Sequence, residues 1–172
     1  MMTLADPPSP WPIRMIDRLS AFFLLLAGLA MGLMVATVAV DVIGRTLFNR
    51  PQPGALEMTA QWWMPMLTLL ALGHAERMGE QIRVTMLLDS LSPRMRGAAE
   101  AIFALVAAAL LVLLAWYSLQ EALHGAQLRR TTASQPPVPI WPFAFVAVAG
   151  LTMLALQYLA TAWRGFHSAA RA

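Results

Sequence analysis

Cysteine and lysine are both absent from these 172 residues, and charge of either sign is scarce. Without a thiol there is no disulfide, no thiolate metal centre and no cysteine nucleophile. Charged residues make up 12% of the chain against 59% hydrophobic, and a soluble domain of this size could not cover that much apolar surface. The three histidines, His74, His124 and His167, stand on separate segments, which suggests neither a haem ligand pair nor a metal site. No Gly-rich phosphate loop, HExxH or GxSxG pattern occurs. Nor is there an internal repeat of the kind that marks many complete transporters. Together these gaps argue against an enzyme and predict no cofactor.

What is present is four long apolar runs, 20–40, 58–75, 101–120 and 138–163. A helix crossing a bilayer core needs roughly 20 apolar residues. The expected fold is therefore an all-α integral membrane protein with four transmembrane helices. Between the second and third, residues 82–91 are apolar but interrupted by Arg83 and Asp89, and are too short to span. They read as a short amphipathic helix lying in the interface. The Pro-rich residues 1–12 read as a disordered tail, 13–166 as one four-helix membrane domain and 167–172 as a C-terminal tail. The first run is too long for a signal-peptide core and lacks a convincing cleavage site, so it reads as a retained helix.

All twelve basic residues are arginines, set at span ends rather than clustered, which fits membrane topology and not nucleic acid. The N-terminal tail, the second connection and the C-terminal tail hold eight of them; the other two connections hold four. The basic excess marks the cytoplasmic side, so both termini are expected there. Trp62, Trp63, Trp116 and Trp141 then fall at the outer interface and Trp163 at the inner one, where amphipathic rings anchor a helix in the bilayer.

Several local features suggest packing and capping. Gly28, Gly32 and Ala36 are spaced four apart, which lets helix backbones approach closely, within the bundle or against another subunit. Asp41 and Arg45 can pair at i, i+4. Glu57 suits a helix first turn, and an ion pair with Arg45 is a sharper alternative. Pro65 should kink the second helix near Gln61. Ser92-Pro93 reads as an N-cap followed by Pro at the first helical position, opening a helix that runs to about Gly125. Residues 127–139 read as a polar, Pro-rich loop, with the last helix starting near Trp141. The ionisable residues Asp41, Glu57, His74, Glu100 and Glu121 all lie near span ends, so no ion path is evident through the middles.

At this point a family resemblance enters. Arg45-Thr46-Leu47-Phe48-Asn49, then Glu57, then Trp62-Trp63, resembles the first outer segment and second helix of the small membrane subunit of tripartite ATP-independent periplasmic (TRAP) transporters, the DctQ-like family. Residues Ala75 to Val84 are similar to the family's segment after helix two, with Gln81 where the family usually has His. Pro139-Ile140-Trp141-Pro142 resembles the start of its fourth helix. The resemblance covers about Leu19 to Trp163. It implies the small permease subunit of a sodium-coupled importer of organic acids in the bacterial inner membrane. Its partners would be a large, DctM-like membrane subunit that carries substrate by an elevator motion, and a periplasmic, DctP-like binding protein. The small subunit would serve as a fixed frame and bind neither substrate nor sodium. On that reading Gly28, Gly32 and Ala36 are candidate contacts to the large subunit. Arg45, Arg50, Glu57, Arg129 and Arg130 are candidate contacts to the binding protein. The alternatives are an autonomous four-span exporter and a non-catalytic anchor subunit of a membrane enzyme.

Overall fold

The computed structural model describes residues 11–79, 92–134 and 137–171. The proposed interfacial helix at 82–91, the Gln81 position and residues 1–10 of the expected tail lie outside them. The described residues are mainly helical: α1 (Trp11–Phe48), α2 (Ala55–Met58), a π-helical turn (Thr59–Trp63), α3 (Met64–Met78), α4 (Pro93–Gln127) and α5 (Trp141–Arg171). Three of them, α1, α4 and α5, are long and apolar enough to cross a membrane. Two expected boundaries move. Trp11 and Pro12, assigned to the tail, open α1, where a proline's missing N–H costs nothing. At the other end α5 continues through the expected C-terminal tail to Arg171.

The second apolar run folds differently from the others. Helix runs without a break from 55 to 78, about 36 Å at 1.5 Å per residue. Within it, the Met64 N–H donates to the carbonyl of Thr59, five residues back, in place of the usual four. This wider turn ends one residue before the Met64-Pro65 pair that opens α3. In regular α register the Pro65 ring would meet the Gln61 carbonyl and leave it without a donor. The inserted residue shifts that register, so the disturbance expected near Gln61 takes the form of a π-turn.

The four long helical segments form a row rather than a closed bundle. α1 packs on α3, α3 on α5 and α5 on α4, with a smaller α1–α5 contact and no substantial α1–α4 contact. Successive segments alternate in direction. Asp17 of α1 meets Arg77 near the end of α3, while Thr37 of α1 meets Trp63 at the start of that helix. Gly150 and Met153 of α5 meet Leu69 and Gly73 of α3 in the same order, so those two helices are parallel. Chain direction therefore brings Asp17, Arg77 and Arg164 to one end of the row. It brings Asp41, Gly54 and Val138 to the other.

Packing within the row relies on small residues. Every buried position described in α4 is Gly or Ala: Gly97, Ala101, Ala104, Ala108, Ala115, Ala122 and Gly125. Its large side chains, Phe103, Leu110, Trp116 and Tyr117 among them, point outward. A water-soluble helix would invert this arrangement. In lipid, large apolar groups gain nothing by leaving the tails, and close backbone approach drives association instead. Gly165 of α5 sits against this face, where an added Cβ would come 3.1 Å from both the Ala101 Cβ and the Gly97 carbonyl oxygen.

Candidate functional site

The Asp41 end holds the outer residues singled out in the sequence. The Asp41 carboxylate accepts from Arg45 Nη2 at 2.6 Å and from the Gln52 backbone N–H at 2.9 Å. The first contact is the expected i, i+4 pair; the second clips the departing chain back onto α1. Asn49 adopts a left-handed φ of 51°, and the Arg50 N–H closes onto the Gly44 carbonyl at 2.9 Å. The backbone then turns into α2 through Gly54, whose φ of 76° suits glycine. Val138, buried in the connection between α4 and α5, presses so closely on Gly54 that a Cβ there would lie 2.9 Å from its Cγ2.

The connection between α4 and α5 is equally fixed. Arg130 forms an ion pair with Glu121, and its carbonyl accepts from the Ile140 N–H at 3.1 Å. Thr132 and Val138 are joined by two hydrogen bonds of 2.9 Å. Trp62 bridges back to this loop through Nε1–H to the Pro139 carbonyl at 2.8 Å, and its ring stacks on Phe143 at 4.5 Å. Trp63 Nε1–H donates to Thr37 Oγ1 at 3.1 Å. These two tryptophans, read as bilayer anchors, thus also tie the connections to the row. Among the described residues Arg50, Glu57 and Arg129 make no side-chain hydrogen bond or ion pair. The alternative pairing of Glu57 with Arg45 is not formed, because Asp41 one turn away holds that guanidinium. Arg129 is held out at a left-handed φ of 45°.

The Gly28, Gly32 and Ala36 stripe does not pack within the chain. All three are exposed, and a Cβ at Gly28 or Gly32 would meet nothing within 4 Å. The buried side of α1 is marked instead by Ile13, Ser20, Ala27 and Ala30. At 100° per residue, Gly32 and Ala36 fall nearly opposite Ala27. Among the described residues nothing packs on this stripe. The close small-residue contacts lie along α5, at Gly165 against α4 and at Gly150 and Met153 against Leu69 and Gly73 of α3.

The Asp17 end holds a polar cluster that the sequence reading missed. Asp17 receives Arg164 Nη2 at 3.3 Å on each carboxylate oxygen, Arg77 Nε at 3.5 Å and Gln157 Nε2 at 3.3 Å. Gln157 also donates to Ser20 Oγ at 3.1 Å, and Arg77 Nη1 donates to the Asp17 carbonyl at 3.2 Å. Beside them Thr161 donates to Glu76 at 3.2 Å. Ser20, Glu76 and Gln157 are at most 2% exposed. One signal was available: Gln157, Thr161 and Arg164 recur at i, i+4 and i+7, a polar stripe on one face of an otherwise apolar helix. Among the described residues no three His or carboxylate side chains converge as metal ligands.

Fold and sites together define an all-helical, multi-pass membrane protein whose polar contacts gather at the two ends of a helical row. The family model of the DctQ component of tripartite ATP-independent periplasmic transporters matches residues 34–168, and the chain belongs to that family. No curated protein and no solved structure matches it. The family is a transporter component rather than an enzyme family, and a tripartite transporter implies further membrane and binding-protein subunits. The matched span begins within α1, after Asp17, Gly28 and Gly32.

Proposed function

We propose that this chain is the small permease subunit of a sodium-coupled organic-acid importer of the bacterial inner membrane, and acts there as a stator. The second helical run, 55–78, supplies the fourth crossing: its length of about 36 Å exceeds a hydrocarbon core of roughly 30 Å. Both termini lie in the cytoplasm, which makes the Asp17 end inner and the Asp41 end periplasmic. One observation carries the reading. The polar contacts sit at the ends, and the middle of the row is apolar, Gly and Ala with Leu70, Met153 and Leu154, with no polar lane for an ion to follow among the described residues. An element that must resist sliding while its partner moves benefits from close backbone packing.

Co-purification with a large membrane subunit encoded nearby, and reconstituted uptake that requires both chains and a periplasmic binding protein, test this function. Solute transport by this chain alone in liposomes would refute it. On the same reading, the free Gly28, Gly32 and Ala36 stripe contacts the large subunit. Gly32→Leu should leave the melting temperature of the isolated chain within a few degrees of wild type, since nothing faces the new side chain. It should also reduce recovery of the large subunit in a pull-down several-fold.

Arg45, Arg50, Glu57, Arg129 and Arg130 form the docking side for the binding protein. Arg50 and Arg129 are its free cations. The double charge reversal Arg50→Glu/Arg129→Glu should raise the binding-protein concentration for half-maximal uptake about tenfold at low salt and less at high salt. Unchanged uptake kinetics at both salt concentrations would remove these residues from the docking surface.

A further inference from the structure

The outward face of α1 carries a second pattern. Trp11, Met15, Arg18, Phe22, Leu25 and Leu29 recur at alternating spacings of four and three, with Arg14 beside them. At 100° per residue this places them on one lane, facing away from buried Ser20 and Ala27. The lane is exposed throughout, so nothing among the described residues covers it. It changes character along its length. Its first two turns carry Arg14 and Arg18 interleaved with Trp11 and Met15, and these four residues line a groove of about 210 Å³. The next two turns are purely apolar. Among the described residues neither arginine has an ion pair or hydrogen bond, whereas Arg77 and Arg164 are held by Asp17 and Arg45 by Asp41. No carboxylate lies on the lane.

The level of these residues relative to the bilayer follows from length. The apolar stretch 19–40 spans about 33 Å as helix, close to a hydrocarbon core. Arg18 and Arg14 therefore lie just outside the core, at headgroup depth, with Trp11 one turn beyond. Phe22, Leu25 and Leu29 lie inside it, directly below. A cationic groove above an apolar lane matches a molecule with an anionic head and a long hydrocarbon tail.

We propose that this lane of α1 is a binding site for an anionic phospholipid. The Arg14 and Arg18 guanidiniums receive the phosphate and the negative headgroup, and one acyl chain lies along Phe22, Leu25 and Leu29. Guanidiniums suit this task because their planar donors match phosphate oxygens in pairs. The inner half of α1 would thereby keep a fixed lipid, while the Gly32 and Ala36 half stays open to a protein partner.

The test uses the full chain in neutral detergent, with binding read by native mass spectrometry against phosphatidylglycerol, phosphatidylcholine, glycerophosphoglycerol and inorganic phosphate. The chain should retain phosphatidylglycerol about tenfold more tightly than phosphatidylcholine. Arg14→Gln/Arg18→Gln should abolish that preference while leaving helicity and melting unchanged, since these side chains hold nothing in the fold. Phe22→Ala/Leu25→Ala should weaken both lipids several-fold. The soluble headgroup and free phosphate should not bind at millimolar concentration. Equal retention of the two lipids by the wild-type chain, or a preference that survives the arginine substitutions, would overturn the proposal. So would displacement of the lipid from the lane by the large membrane subunit, which would make the lane a protein seam.

Discussion

Asp17→Leu should lower the unfolding free energy of the chain in micelles by roughly 2–4 kcal/mol. Taken one pair at a time, the contacts of Asp17 look weak. Arg77 and Arg164 are 36% and 40% exposed at their side chains, and ion pairs that open to water contribute at most about 1 kcal/mol each. Asp17 itself is only 14% exposed, and it is the one anion on which Arg77 of α3, Arg164 of α5 and Gln157 of α5 converge. Its removal leaves two guanidiniums near the edge of a low-dielectric layer without their counter-charge. Gln157, 1% exposed and with Oε1 already lacking a hydrogen-bond partner, is left with Ser20 alone. Deleting one partner of a desolvated network costs more than replacing all of it with apolar groups.

That asymmetry gives the experiment its control. Asp17→Leu/Arg77→Leu/Arg164→Leu should be more stable than Asp17→Leu alone, although it removes three charged groups instead of one. The Asp17–Arg164 double-mutant cycle should return a coupling of about 1–2 kcal/mol. Asp17→Asn should fall between, since it keeps an acceptor for Gln157 and loses the charge. Denaturant unfolding in a fixed detergent measures all of these. A loss below about 0.5 kcal/mol for Asp17→Leu would place the cluster among exposed ion pairs that hold nothing.

How the two ends became known differs. The Asp41 end was partly legible because its contacts are local in sequence. Asp41 and Arg45 are one turn apart, and Pro65 disturbs its own turn. Each follows from chain geometry within a few residues. The Asp17 cluster joins positions 140 and 147 residues apart, and no periodicity in a single helix reports such a pairing. The glycines show the same limit. GxxxG spacing drew attention to Gly28 and Gly32, which touch nothing here, while Gly73, Gly150 and Gly165, which do bear on neighbouring helices, have no such signature. Spacing tells whether a helix can offer a close-approach face. It does not tell which neighbour takes the offer. The row arrangement was hidden for a related reason: the apolar runs mark the helices, but neighbour order depends on which small faces meet.

The second large effect is expected at Gly150. An added Cβ there would lie 2.5 Å from the Leu69 carbonyl oxygen and 2.8 Å from its carbonyl carbon and Cβ. The first two are backbone atoms of a helix, and no rotamer change moves them aside. Gly150→Ala must therefore push α5 off α3 by several tenths of an ångström or more, along the contact that joins the two halves of the row. Overpacking of this kind costs about 1–3 kcal/mol, and Gly150→Val, with two further methyl groups, should prevent the row from closing. Gly73 offers a graded comparison. Its nearest obstacle is the Met153 Cγ at 2.9 Å, part of a flexible side chain, so Gly73→Ala should cost less than Gly150→Ala. Gly28→Ala, facing open space, should cost nothing measurable in the isolated chain. The expected order of melting temperatures is thus Gly28→Ala equal to wild type, then Gly73→Ala, then Gly150→Ala, with Gly150→Val recovered poorly from the membrane. A different order would mean that α3 and α5 are not in backbone contact in the bilayer. α4 and α5 could then hold together as a pair through Gly97, Ala101 and Gly165 while α1 and α3 moved apart from them. A frame that splits in this way could not resist the sliding of a partner, so the same four variants test both the packing and the stator role that depends on it.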